Sequence, residues 1–98
     1  MIKCGGTSPA VEADDRVQSV CDKVKASLEG KVGHKFNEYK ALTVTKQVVA
    51  GTNYFVKIHI GNEEYIHVRI FHPLPGQGDP EVHSYQLDKT KEDEVEFF

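Results

Sequence analysis

The sequence predicts an α+β domain, with one long amphipathic helix packed on an antiparallel sheet of four to five strands. Three observations carry this expectation. Over residues 14–28 the apolar side chains recur every three or four positions, which is the spacing of one helix face. Over residues 42–70 the apolar period changes to two, the spacing of strands with one covered face. A chain of 98 residues is long enough for one modest core and too short for two, so the helix face and the strand face must meet. Residues 1–98 are accordingly expected to form a single domain.

Residues 1–13 are small, polar and glycine-bearing, without either period, and are expected to be a mobile N-terminal arm. Gly5 and Gly6 let that arm bend or bring its backbone close to another surface. The helix begins where Asp14 and Asp15 favour the positive end of its dipole, and Asp15 with Gln18 resembles a loose capping box. Val17, Val20, Cys21, Val24 and Leu28 form its apolar stripe, with Lys23, Lys25 and Glu29 opposite. Gly30 and Gly33 end or weaken the pattern, although a helix can pass through Gly30 at a cost of about 1 kcal/mol relative to alanine.

In the strand region Leu42, Val44, Val48, Tyr54, Val56, Ile58, Ile60, Ile66, Val68 and Ile70 all lie on even positions. The odd positions are mostly polar, among them Thr43, Thr45, Lys57, His59, His67 and Arg69. This alternation predicts a half-buried antiparallel sheet whose odd face is solvated. Shared even parity on both flanks of residues 61–64 demands a hairpin loop of odd length, for example Asn62, Glu63 and Glu64. Ile60 would then face Ile66, and His59 would face His67. Residues 72–80 contain three prolines, which excludes an inner strand and predicts a long, stiff loop that holds Leu74 outward. A last strand is expected over residues 82–88, with Tyr85 and Leu87 on one face. Val82 has the opposite parity, so this strand starts late or contains a bulge. Residues 89–94 read as a solvated charged stretch.

Between the first two strands stand Gln47, Val48, Val49, Ala50 and Gly51, where a polar turn would be ordinary. Two β-branched valines are stiff and gain nothing from water. Either another surface covers them at the tip of a hairpin, or they end a buried strand and residues 51–53 make the turn.

Several function classes are disfavoured. A net charge of −3 argues against a dedicated nucleic-acid binder, which would show a basic patch. No apolar run approaches the roughly 18–20 residues of a bilayer span, and the first ten residues carry no apolar core of a signal peptide. The cytosol is the expected compartment. Cys4 and Cys21 are expected to be free thiols there. Neither suits a nucleophile, since one lies on the arm and the other on the helix stripe. A facing His59 and His67 would supply only two of the three or four ligands a metal requires, and His34, His72 and His83 have no matching spacing. No glycine loop has phosphate-cradling spacing. The expectation is a protein without cofactor or metal that is not an enzyme.

What remains is geometric. In an antiparallel meander the connections alternate ends, so the loops 47–53 and 72–80 leave the same edge of the sheet, which the N-terminal arm can also reach. Three such segments make a wedge, and a wedge suits a cleft.

Gln47 to Gly51 read QVVAG, followed by Thr52, Asn53, Tyr54 and Phe55; Leu74, Pro75 and Gly76 read LPG; and Gly5 lies near the start. Together with the length and the order of elements, these residues closely resemble the stefins, the single-domain intracellular branch of the cystatins, which lack signal peptides and disulfides. The resemblance implies a cystatin-like fold and reversible, tight-binding competitive inhibition of papain-like cysteine proteases such as lysosomal cathepsins. It implies that the arm around Cys4 and Gly5 lies along the non-primed subsites, while Gln47, Val48, Val49, Ala50 and Gly51 and the loop Leu74, Pro75, Gly76 and Gln77 fill the primed side. The expected state is a monomer, with a domain-swapped dimer or one linked through Cys4 as secondary expectations. Two rival functions remain: a cystatin-fold structural protein cross-linked in epithelia, with inhibition incidental, and a small-molecule or peptide-binding module using the same edge.

Overall fold

The computed structural model describes residues 10–96 and residue 98. Five strands form one antiparallel sheet in the order β1-β2-β3-β4-β5, with the helix α1 inserted in sequence after β1. The elements are β1 (Val11–Glu12), α1 (Asp15–Val32), β2 (Lys40–Val49), β3 (Gly51–Gly61), β4 (Glu64–His72) and β5 (Glu81–Lys89). The expected α+β architecture, a long helix on an antiparallel sheet, is what the chain adopts.

Helix α1 starts one residue later than its apolar pattern and ends one turn further on. Asp14 is its N-cap, accepting the Val17 amide at 3.0 Å, and that bond holds the Asp14 carboxyl below the usual carboxylate range. The expected capping box does not form. Gln18 instead ties the helix to the sheet, accepting the Ala41 amide at 2.8 Å and donating to the Tyr39 carbonyl at 3.1 Å. The helix runs through Gly30 and stops at Gly33, a left-handed residue whose amide donates back to the Glu29 carbonyl at 2.8 Å, because only at that turn does the backbone satisfy its last carbonyls this way.

The five stripe residues Val17, Val20, Cys21, Val24 and Leu28 are all buried. Each stabilises the fold by roughly 1.5–3 kcal/mol for a large aliphatic side chain. They meet the even residues Val44, Tyr54, Val56, Ile58, Ile60, Ile66, Val68 and Ile70 in one core. Leu42 departs from that pattern. A register irregularity between Ala41 and Thr43 turns Ala41 into the core and leaves Leu42 half-exposed.

The β3–β4 hairpin corrects the expected register. Ile58, not Ile60, faces Ile66, and His59 faces Tyr65 while His67 faces Lys57. Even parity is kept with a two-residue turn, Asn62 and Glu63 both at positive φ, because a bulge between His59 and Gly61 absorbs the odd residue. In β5 a similar irregularity between Arg69 and Ile70 in the facing strand lets both Val82 and Tyr85 pack on the core. A second one lies nearer the strand end, where Leu87 is 42% exposed and borders a hollow with His34, Ile60 and Ile66.

Residues 11–13, expected to belong to the arm 1–13, are tied to the sheet. Val11 and Glu12 pair with Val44 and Thr43, and the Ala13 amide donates to the Leu42 carbonyl at 2.9 Å. Residues 1–9 lie outside the described part of the chain.

The odd face of the sheet is largely covered rather than solvated. Thr45, Asn53, Phe55, Lys57 and His67 are buried, and so is Val95 in what reads as a charged tail. The polar alternation concealed this second layer, because Lys57 and Arg69 pair with backbone carbonyls rather than with water. Lys57 Nζ donates to the Lys91 carbonyl at 2.6 Å and Arg69 Nη1 to the Phe98 carbonyl at 2.9 Å.

Candidate functional site

The β2–β3 connection is a hairpin with its bend at Ala50. Val48 pairs with Thr52 and Val49 with Gly51 across it. The alternative with the turn at residues 51–53 is thereby excluded, since those residues lie inside β3. Val48 is 77% exposed and Val49 47%, so two stiff apolar side chains project from the end of a continuous ladder. Below them Asn53 donates its amide nitrogen to the Gln47 side-chain oxygen at 3.1 Å. Lys46 lies 5.6 Å from the centre of the Tyr54 ring.

The second loop is built by a turn across Leu74, Pro75, Gly76 and Gln77. The Gln77 amide donates to the Leu74 carbonyl at 2.9 Å, and Gly76 takes φ 81°. Proline at the second position and a left-handed glycine at the third are the requirements of a type II turn. Leu74 is held out, 50% exposed.

Gly51 brings these two loops together. Its φ is 126°, and a Cβ there would sit 2.7 Å from the His72 carbonyl oxygen and 2.9 Å from the Phe71 ring. Thr52 pairs with His72 in the sheet, so the base of one loop touches the base of the other. A shallow hollow of about 280 Å³ opens between them, lined by Arg16, Val20, Tyr54, His72 and Pro73 among others. Arg16, Tyr54, His72 and Pro73 were not singled out from the sequence as site residues. Only their place beside the loops marks them, and no periodicity reports that.

The structure thus gathers Gln47, Val48, Val49, Ala50 and Gly51 with Leu74, Pro75, Gly76 and Gln77 on one edge. Strand β1 runs antiparallel to β2, so Val11 begins it at the end nearer the hairpin. Cys4 and Gly5 fall outside the described residues. Cys21 is a free thiol in the core, and burial pushes it up to about 12, so it is a poor nucleophile at neutral pH. Among the described residues, no helix is long and apolar enough to cross a membrane.

An exposed apolar edge on a helix-and-sheet scaffold defines a class of binding protein rather than a particular one. The family model of the cystatin domain matches residues 5–92. Cystatin-B of Paralichthys olivaceus is 42% identical over 96 residues, covering 97% of this chain and 98% of that protein. Cystatin-B of Pan troglodytes is 43% identical and that of Homo sapiens 42%, each over 96 residues with the same coverage. The chain belongs to the cystatin family, in its stefin branch.

Proposed function

We propose that the chain is a reversible, tight-binding competitive inhibitor of papain-like cysteine proteases, lysosomal cathepsins among them, and that it acts as a monomer in the cytosol. The observation that carries this reading is the pair Val48 and Val49, exposed on a rigid hairpin and locked to the Leu74 loop through Gly51. Apolar side chains held out by an ordered backbone gain affinity from burial without a large ordering cost. A standard interface buries about 1,600 Å², and affinity at that size depends on preorganisation.

In this reading the hairpin 47–51 and the turn 74–77 fill the primed side of the cleft. The arm around Cys4 and Gly5 lies over the non-primed side and turns away from the catalytic thiol at the glycine. The cleft is blocked, yet no peptide bond of the inhibitor lies in line for attack, so the chain is released intact and carries out no turnover of its own. The loops supply the affinity common to many proteases, and the arm, which must be ordered on docking, tunes affinity between them.

The test is a titration of active-site-quantified papain under reducing conditions, following hydrolysis of a small fluorogenic substrate. Activity is expected to fall to zero at one-to-one stoichiometry, with the inhibitor recovered uncleaved. Full activity in the presence of excess folded monomer would overturn the proposal.

A further inference from the structure

The odd face of the sheet carries a layer that the inhibitory wedge does not use. Phe55 and Val95 are 0% and 2% exposed, yet neither belongs to the core cluster under the helix. Phe55 and Val95 lie where residues 90–96 and Phe98 run against this face. Near its start the segment is fixed by the Lys57 ammonium on the Lys91 carbonyl at 2.6 Å. At its far end Arg69 donates to the Phe98 carbonyl at 2.9 Å, the Phe98 ring meets Phe55 edge-on at 5.8 Å, and the Arg69 guanidinium lies 5.6 Å from the Phe55 ring centre.

Position along β3 gives this layout its meaning. Lys57, Phe55 and Asn53 are successive residues on one face of the strand. Asn53 bonds Gln47 at the foot of the first hairpin. The end of the segment that holds Phe98 therefore stands one side chain away from the hairpin, and the Lys91 end stands further off.

We propose that residues 90–96 together with Phe98 form a displaceable strap, and that Phe98 and Arg69 are positioning residues that hold the first hairpin, acting through Phe55, in the shape that docks. A short segment fastened by side-chain bonds from Lys57, Arg69 and His67, the Phe98–Phe55 ring contact and the buried Val95 opens without melting the strands beneath it. When Phe98 lifts, water reaches Phe55 and the Asn53–Gln47 bond, and the hairpin becomes more mobile. Part of the binding energy is then spent on ordering it again. Only this last step rests on the inhibitory reading; the coupling of strap to hairpin is a property of the free chain.

The experiment compares the full chain with Phe98→Ala and Phe98→Tyr. Amide hydrogen exchange of residues 45–55 is measured in the free protein, and the dissociation constant for papain is measured alongside. Phe98→Ala is expected to speed exchange at residues 45–55 about tenfold, as loss of one aromatic contact predicts, while the helix amides around Val24 keep their rates. The papain dissociation constant should rise by a similar factor, and Phe98→Tyr should restore both. Unchanged hairpin exchange in Phe98→Ala overturns the strap, including the case where inhibition weakens because Phe98 touches the protease directly. A uniform rise that includes the helix reveals general destabilisation and also overturns it, and faster exchange with unaltered papain affinity overturns the positioning role. If the unaltered chain does not inhibit papain, the inhibitory reading fails separately, and the exchange rates alone decide whether the strap exists.

Discussion

Gly51 and Val49 are neighbours with opposite sensitivities. Gly51 is buried at positive φ against the His72 carbonyl, so Gly51→Ala is expected to lower stability by about 2–3 kcal/mol through strain and overlap. Thermal or urea unfolding checks this, and a melting temperature equal to that of the parent would contradict the close approach. Val49 is 47% exposed, so Val49→Asp should leave stability nearly unchanged. Its affinity for papain should drop by about 3 kcal/mol, more than a hundredfold, because docking would bury an unpaired carboxylate. Equal inhibition by that variant would remove the hairpin from the interface. The apolar tip was legible in the sequence because two valines at a bend contradict turn chemistry. The hollow behind it was not, since Arg16 and His72 come together only through the fold.

Among the elements, the helix was legible from its stripe and β3 and β4 from their alternation, whereas their joints were not. Gln18 shows why. It reads as a capping partner in sequence, but the Ala41 amide and Tyr39 carbonyl need partners where β2 enters the sheet, and Gln18 supplies both. Gln18→Ala leaves that amide and carbonyl without their side-chain partner in a part-buried setting, at an expected cost of about 1–2 kcal/mol by urea unfolding. A cost near zero would mean water replaces it freely. Bulges explain the remaining element-scale errors. Each of the irregularities at Ala41, His59 and Arg69 shifts a register without changing which residues are apolar, so composition cannot report it.

At the scale of the whole molecule, one sheet carries two layers. The alternation made the helix-side layer plain and hid the second, whose buried members are largely polar. His67 is the titratable member of that layer. Burial pushes its imidazole down to about 4, helped by the ammonium groups of Lys89 and Lys57, and opposed by Asp93 of the strap; Gln86 is its partner on β5. Above pH 6.5 neither the folded nor the unfolded chain protonates this ring. As pH falls from 6.5 towards 4 the unfolded chain takes the proton and the folded chain does not, so stability declines. The expected loss is about 2 kcal/mol once solvent screening is allowed for. Urea unfolding at pH 7 and pH 4.5 should show this decrement in the parent and not in His67→Gln. Identical pH slopes in the two would assign the acid sensitivity to other groups.

The contact at Gly51 also limits how the recognition edge can be engineered. Two loops that share one backbone-to-backbone contact do not behave as separate cassettes. A library that varies residues 74–77 retains its scaffold as long as His72 and Gly51 stay together, whereas grafting the hairpin alone onto a foreign sheet leaves its base without the carbonyl and ring against which it was shaped. The transferable unit is the pair of loops with the four strand residues at their roots, Gly51, Thr52, Phe71 and His72.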